Sequence, residues 1–95
     1  MIALYPGTFD PITRGHLDIA ERAAEIFGGL ELAVVGSSAK RLAFSAEERL
    51  ELAEASVREA GLAEDVRVTL FDGLLVQYMR NRGLKVFVRG LRATS

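Results

Sequence analysis

Apolar residues form short runs in some parts of this chain and recur with a helical period in others. Each change of pattern marks the start of a predicted element. The runs Leu30–Val35 and Val66–Phe71 are rich in aliphatic and β-branched residues, as are the runs over residues 1–4 and 84–88. Short runs of this composition predict buried β-strands. Between them, apolar residues recur every three or four positions, which predicts amphipathic helices. The chain is therefore predicted to alternate between strand and helix.

Three helices are predicted, over residues 15–27, from Ser45 to the region of Gly61, and over residues 73–82. Ser45 and Glu48 have the spacing of a capping box, which marks the start of the second helix. A glycine that can adopt a left-handed conformation is a common helix stop. The glycines expected to end the three helices are Gly28, Gly61 and Gly83.

Four strands separated by three helices are typical of an α/β fold with a parallel sheet. In open sheets of this kind, ligands bind outside the carboxyl ends of the strands, near the point where the strand order reverses. Functional residues are therefore expected in the loops that follow the strands.

Composition narrows the possible classes of protein. The chain has 95 residues, 49% hydrophobic and 26% charged, with a formal net charge of −1, which predicts one domain over residues 1–95. It contains no cysteine, which excludes disulfides and thiolate metal sites. We expect no membrane-spanning segment and no secretory signal, hence a cytoplasmic location. The near-neutral charge argues against nucleic-acid binding through backbone phosphates.

The segment over residues 5–16 carries the densest candidate chemistry, because it joins the first strand to the first helix. The N–H groups at a helix start form an anion-binding site, and glycines let the backbone approach a ligand closely. Thr8 and Thr13 add hydroxyl groups, and His16, the only histidine, adds an imidazole in the first helical turn. Phosphate chemistry is the first hypothesis for this segment.

Further polar residues follow the other three predicted strands. Together they would give this edge a basic character that the whole chain lacks, which favours a small polyanionic ligand. The residues are Ser37, Ser38 and Lys40 after the second strand, Asp72 to Leu75 after the third, and Arg89 and Arg92 after the fourth.

Each of these residues also has a purely structural interpretation. Thr13 could serve only as a helix N-cap, and an isolated histidine such as His16 is more often structural than catalytic. Lys40 could belong to a solvated loop, and Arg89 and Arg92 could pair with surface glutamates. Their predicted convergence on one edge is what favours the functional interpretation.

Four motifs together carry a resemblance to a known family. They are Tyr5-Pro6-Gly7-Thr8-Phe9-Asp10-Pro11, Thr13-x-Gly15-His16, Lys40 before Phe44-Ser45-x-Glu47-Glu48-Arg49, and Arg89-Gly90-Leu91-Arg92. In order and spacing they resemble the bacterial phosphopantetheine adenylyltransferases of the nucleotidyltransferase superfamily. The resemblance implies a Rossmann-like, doubly wound parallel sheet. It also implies transfer of AMP from ATP to 4'-phosphopantetheine, giving dephospho-coenzyme A and pyrophosphate in coenzyme A biosynthesis.

The resemblance also implies roles for individual residues. His16 would donate to the α-phosphate, Thr8 and Lys40 would orient the attacking phosphate, and these three would be the catalytic residues. Arg89 would bind the phosphate of phosphopantetheine and Leu75 its pantetheine arm. Mg²⁺ would arrive with ATP rather than on protein ligands. The residues implied on the ATP side are Thr8, Phe9, His16, Gly90, Leu91 and Arg92.

Members of that family continue beyond the Arg-Gly-Leu-Arg segment, whereas this sequence stops at Ser95. We therefore expect a nucleotidyltransferase domain that lacks its C-terminal part after the fourth strand, with little activity alone. An experimental or gene fragment, a short natural product, and a remainder supplied by another chain are all open explanations. The family resemblance implies a homo-oligomer, a hexamer at full length, with neither nucleic acid nor membrane as a partner.

Two functions from other classes also stay open, together with a different enzyme activity. The chain could be a non-catalytic module that binds phosphopantetheine, coenzyme A or a nucleotide. It could be a structural piece whose open sheet edge pairs with itself. It could also be a nucleotidyltransferase for another small molecule.

Overall fold

The computed structural model describes residues 2–36, 42–72, 75–83 and 86–88. Strands and helices alternate throughout this part of the chain, as the periodicity predicts. The bounds of β2 and β3 agree with the prediction, and α1 begins one residue earlier than predicted. In chain order the elements are β1 (Ala3–Gly7), α1 (Arg14–Phe27), β2 (Leu30–Val35), α2 (Ala46–Glu59), β3 (Val66–Phe71), α3 (Leu75–Arg82) and β4 (Val86–Phe87).

The four strands form one parallel sheet in the order β3-β2-β1-β4. Successive strands add outward from β1 to β2 and then to β3, after which the chain returns to place β4 on the other side of β1. The strand order therefore reverses between β1 and β4. The loop that follows β1 begins at this point, which is where open α/β sheets bind their ligands. The predicted α/β fold of the Rossmann-like type is confirmed.

Helices cover both faces of the sheet, as a doubly wound fold requires. On one face, α1 and α2 pack Ala20, Ala24, Ala53 and Val57 into a core with the side chains of β1, β2 and β3. On the other face, α3 brings Tyr78 and Met79 against a smaller core, built on Leu4, Ala33 and Phe71. The first of these cores supports the loop that follows β1, because it also contains Phe9 and Ile12.

The smaller core encloses one buried carboxylate. Glu31, on β2, is 2% exposed, and its Oε2 accepts a hydrogen bond from the Thr69 hydroxyl at 2.9 Å and another from the Tyr78 hydroxyl. Since a buried carboxylate needs such donors, the network ties α3 to the middle of the sheet.

The first strand is longer than predicted. The expected end at Leu4 is wrong, because β1 continues through Tyr5 and Pro6 to Gly7. The carbonyl of Leu4 accepts from Val88 N–H at 2.7 Å, so Leu4 faces the β4 side of the strand, and Pro6 faces the same side two residues later. Because that side faces away from β2, the missing N–H of proline removes no bond to β2.

The helix ends follow the predicted glycine signals. Gly28 caps α1 with φ of 78°, and Gly83 follows α3 with φ of 69°. The second helix ends at Glu59, and Gly61 follows in a left-handed conformation with φ of 75°. Within the described ranges, none of the helices has the length and hydropathy of a membrane span.

Candidate functional site

A cleft of about 490 Å³ opens at the carboxyl end of β1, beside the reversal of strand order. Its walls come from the end of β1, the loop that follows it and the first two turns of α1. The lining residues are Tyr5, Pro6, Gly7, Thr8, Phe9, Asp10, Pro11, Thr13, Gly15, His16 and Ile19.

His16 is fixed in this cleft by the start of α1. Thr13 is the N-cap, and its Oγ1 accepts the backbone N–H of His16 at 3.3 Å. In return, the backbone N–H of Thr13 donates to Nδ1 of the His16 ring at 3.0 Å. This is a capping box in which histidine occupies the position usual for glutamate or glutamine. Because Nδ1 accepts, the neutral ring carries its proton on Nε2, which is the donor nitrogen.

The ring of His16 rests on Phe9, which is itself held in an uncommon conformation. The two ring centroids are 4.9 Å apart with the planes at 86°, and Tyr5 contacts Phe9 edge-on at 5.3 Å. Phe9 is 3% exposed, with φ of 47° in the left-handed region that non-glycine residues rarely adopt. A β-carbon on Gly7 would stand 3.0 Å from the Phe9 ring, so this glycine leaves room for the ring.

Arg49, in the first turn of α2, is 1% exposed and lies behind the cleft. Its Nη1 donates to the carbonyl oxygens of Thr8 at 2.8 Å and Val35 at 2.7 Å. Its Nε donates to the Phe44 carbonyl at 3.2 Å, and its Nη2 to the Gly36 carbonyl at 3.3 Å. One guanidinium thus joins the loop after β1, the end of β2 and the segment that precedes α2.

Asp10, at the rim of the cleft, connects the loop after β1 to the segment that precedes α2. Its Oδ2 accepts the backbone N–H of Ala43 at 2.6 Å, and its Oδ1 accepts that of Phe44 at 2.9 Å. A carboxylate that accepts two backbone N–H groups fixes the segment that supplies them. Residues 43–44 are therefore fastened to the loop after β1.

Asp72 lies at the carboxyl end of β3, close to the backbone of Gly36 at the end of β2. A β-carbon built on Gly36 would be 2.5 Å from Asp72 Oδ1. The backbone N–H of Gly36 donates to the carbonyl of Phe71 at 2.7 Å, which holds the two strand ends together. Glycine at position 36 is therefore what allows the carboxylate of Asp72 to approach this closely.

The structure brings together four of the residues that the sequence predicts at the site. Thr8, Phe9, Thr13 and His16 all line the cleft. Asp72 follows β3, and Leu75 begins α3. The remaining predicted residues fall outside the described ranges: Ser37, Ser38, Lys40, Gly73, Leu74, Arg89, Gly90, Leu91 and Arg92.

Arg49 and Asp10 belong to motifs that carry the family resemblance, but the sequence prediction gave neither of them a role. A signal for Arg49 exists, because it lies four residues before Ala53 and eight before Val57, on the buried face of α2. A charged residue at such a position is unusual and has a partner when buried. For Asp10 the motif gives no sign of its partners, since an aspartate before proline is ordinary in turns.

The described residues contain no group of three or more histidine, cysteine, aspartate or glutamate side chains that could hold a metal ion. The polar groups at the cleft are hydroxyls, backbone N–H groups and one imidazole, apart from the carboxylate of Asp10. Such a set can bind and orient phosphate oxygens.

Comparison with known proteins agrees with this site chemistry. Phosphopantetheine adenylyltransferase of Synechococcus sp. is 52% identical over 95 residues, which are 100% of this chain and 58% of the relative. The enzymes of that name from Ralstonia pickettii and Coprothermobacter proteolyticus are 50% and 44% identical, over 100% and 97% of this chain. The chain covers 55% and 56% of those two relatives. It therefore spans little more than half the length of the relatives it matches, and corresponds to their N-terminal part.

A family model described as cytidylyltransferase-like matches residues 4–95, which is almost the whole sequence. That match includes the complete cleft and, apart from Ala3 at the start of β1, every strand and helix described above. The chain belongs to the cytidylyltransferase-like family of nucleotidyltransferases.

Proposed function

We propose that this chain is the N-terminal part of a phosphopantetheine adenylyltransferase, which transfers AMP from ATP to 4'-phosphopantetheine. The products are dephospho-coenzyme A and pyrophosphate. Relatives of that name at 44% to 52% identity support the substrate pair. The cleft at the reversal of strand order supports the nucleotide site.

The proposed reaction needs alignment and charge stabilisation more than it needs a base. An oxygen of the phosphopantetheine phosphate attacks the α-phosphorus of ATP, a new P–O bond forms, and the bond to the β-phosphate oxygen breaks to release pyrophosphate. The attacking phosphate is already ionised at neutral pH, so no side chain has to remove a proton. Donors placed around the α-phosphate therefore supply most of the rate enhancement.

The geometry of His16 is the observation that carries the proposal. Its Nδ1 is occupied by the Thr13 N–H, so the ring offers Nε2–H as a donor, and its capping box and Phe9 fix its orientation. A donor held in this way strengthens its interaction as negative charge grows on an α-phosphate oxygen. The same histidine caps the N-terminus of α1 and stabilises the transition state.

The remaining assignments belong to the same proposal. Thr8 orients the attacking phosphate with Lys40, and the Thr8–Phe9 backbone contacts the nucleotide. Leu75 contacts the pantetheine arm, and Arg89 binds the phosphate of phosphopantetheine. Gly90, Leu91 and Arg92 complete the ATP side.

Magnesium would bind together with ATP. The donors at the described cleft suit phosphate oxygens rather than Mg²⁺, which prefers phosphates, carboxylates and water. When bound to the triphosphate, Mg²⁺ neutralises charge on the leaving pyrophosphate. We also propose that residues 1–95 form part of a single nucleotidyltransferase domain, that the protein forms a homo-oligomer and that it works in the cytoplasm.

The test is pyrophosphate release by the intact protein with Mg²⁺, ATP and phosphopantetheine, each omitted in turn. We expect release only when all are present, and much less when CTP replaces ATP. His16→Ala should lower kcat about 100- to 1000-fold, the usual effect of removing one preorganised donor, with KM for both substrates nearly unchanged. Glu25→Ala, an exposed change on the same helix, is the matched control and should keep normal turnover.

Other outcomes identify the alternatives. Binding of phosphopantetheine and ATP in calorimetry without pyrophosphate release would indicate a non-catalytic module. Release with a different phosphate acceptor would indicate another small-molecule nucleotidyltransferase. Normal turnover of His16→Ala would contradict the role of the imidazole.

A further inference from the structure

We propose that Arg49 and Asp10 are positioning residues for the turn that carries Thr8, and that they act through the backbone of Phe44. This inference rests on the function proposed above. Neither side chain is assigned to contact substrate. Their task is to hold Thr8 and the ring that supports His16 in the reactive geometry.

The two side chains bind the two polar backbone groups of Phe44. The backbone N–H of Phe44 donates to Asp10 Oδ1 at 2.9 Å, and its carbonyl accepts from Arg49 Nε at 3.2 Å. Arg49 then reaches the Thr8 carbonyl through Nη1 at 2.8 Å. The connections run from Asp10 through Phe44 and Arg49 back to Thr8, so they close a ring around the turn.

Phe9 lies inside this ring, between the two residues that are held. Its φ of 47° is unfavourable for a residue with a side chain, and such a conformation persists only where the surroundings determine it. Fixing Thr8 on one side and Asp10 on the other does this from outside the turn. If the ring opens, Phe9 can relax, and both the Thr8 hydroxyl and the support of His16 move.

The charge of Arg49 separates its positioning role from simple electrostatics. Its contacts are four carbonyl oxygens, whereas the one ion pair within the described ranges joins Arg22 and Asp18. A lysine at position 49 keeps the positive charge but lacks the planar fork that reaches several carbonyls at once. Arg49→Lys therefore weakens the positioning while it preserves the charge.

The experiment is a double-mutant cycle in the intact protein between Arg49→Lys and Thr8→Val, which removes the hydroxyl but keeps the side-chain shape. Arg49→Lys alone should lower kcat about 10- to 100-fold, the scale expected for misplaced reacting groups, with little change in KM for ATP. In the Thr8→Val background the same substitution should lower kcat by a factor at least about threefold smaller than it does alone, because one of the two groups that it positions is gone. Arg58→Lys, an exposed change on the same helix, is the control and should leave kcat unchanged.

A merely structural role predicts a different pattern. Loss of folded protein would lower kcat by the same factor in both backgrounds, and that result would overturn the inference. If Arg49→Lys does not fold, Asp10→Asn takes its place in the cycle, since an amide cannot accept both N–H groups, and equal losses in both backgrounds again overturn the inference. Absence of pyrophosphate release by the unsubstituted protein would instead refute the proposed function, and the inference with it.

Discussion

The helices α1 and α2 each contain 14 residues and each begin with a capping box whose N-cap is a hydroxyl residue, yet the two boxes differ in the chemistry of the third helical residue. In α2, Ser45 pairs with Glu48, the common arrangement. In α1, Thr13 pairs with His16. Glutamate at this position adds a favourable charge at the helix start, whereas neutral histidine gives that up. What histidine offers instead is a second ring nitrogen that can donate, on a residue that lines the cleft.

The comparison shows how a structural motif becomes part of a functional site. Both boxes satisfy the same backbone groups, so both stabilise a helix start. Only the box of α1 lies at the carboxyl end of β1, where the strand order reverses. The third residue of α1 therefore has to cap the helix and also line the cleft, whereas the third residue of α2 only has to cap its helix.

The largest effect is expected from His16→Glu, which gives α1 the same pair type as α2. Glutamate can keep the capping box and interacts favourably with the helix dipole, so the free energy of unfolding should stay equal or rise by about 0.3–1 kcal/mol. Turnover should fall about 1000-fold or more, because the donor is lost and a negative charge faces the phosphates. Urea unfolding and pyrophosphate release measure the two quantities. A variant that is both inactive and much less stable would mean that the two roles of His16 are not separable.

An intermediate effect is expected from removing the hydroxyl of each N-cap. Thr13→Ala and Ser45→Ala should each lower the free energy of unfolding by about 1 kcal/mol, the usual cost of a lost N-cap. Only Thr13→Ala should also lower kcat, by about tenfold, because a frayed first turn no longer orients His16. Equal turnover in the two variants would contradict the link between the cap and the role proposed for His16.

The smallest effect is expected from Glu48→Ala. It removes the side chain that accepts the Ser45 N–H at 2.9 Å, in a box whose residues are exposed. The free energy of unfolding should fall by about 0.5–1 kcal/mol, the worth of one such hydrogen bond. Turnover should remain within about twofold of the unsubstituted protein, because surface substitutions away from the site act mainly on stability. A large loss of turnover would show that the box of α2 also serves the site.

The sequence predicts the fold well wherever hydrophobic period decides the structure. The bounds of β2 and β3 are confirmed because each is a short run rich in aliphatic and β-branched residues, and the box of Ser45 and Glu48 is confirmed because its signal is local. The end of β1 is predicted wrongly because a proline such as Pro6 normally marks the boundary of a strand. The strand continues through Pro6 because this residue faces away from β2, and only the arrangement of the neighbouring strands shows that.

The candidate site is predictable only in part, for a related reason. Thr8, Phe9 and His16 belong to one short segment, so a local motif brings them to attention. The hydrogen bonds of Asp10 and Arg49 connect residues that are far apart in sequence. Asp10 and Phe44 are separated by 34 positions, and Arg49 and Thr8 by 41. An arginine on a helix is solvated by default, and only the packed structure shows which carbonyls surround it.

The contact between Gly36 and Asp72 has a consequence for how sequences of this fold can vary. Any side chain at position 36 would meet the Asp72 carboxylate, since a β-carbon there would be 2.5 Å from Oδ1. The two positions lie on neighbouring strand ends and share one small volume. The two positions are therefore coupled: a larger residue at position 36 requires the Asp72 side chain to rotate away or a smaller residue at position 72. A library that randomises either position alone would discard combinations that the backbone itself can accept.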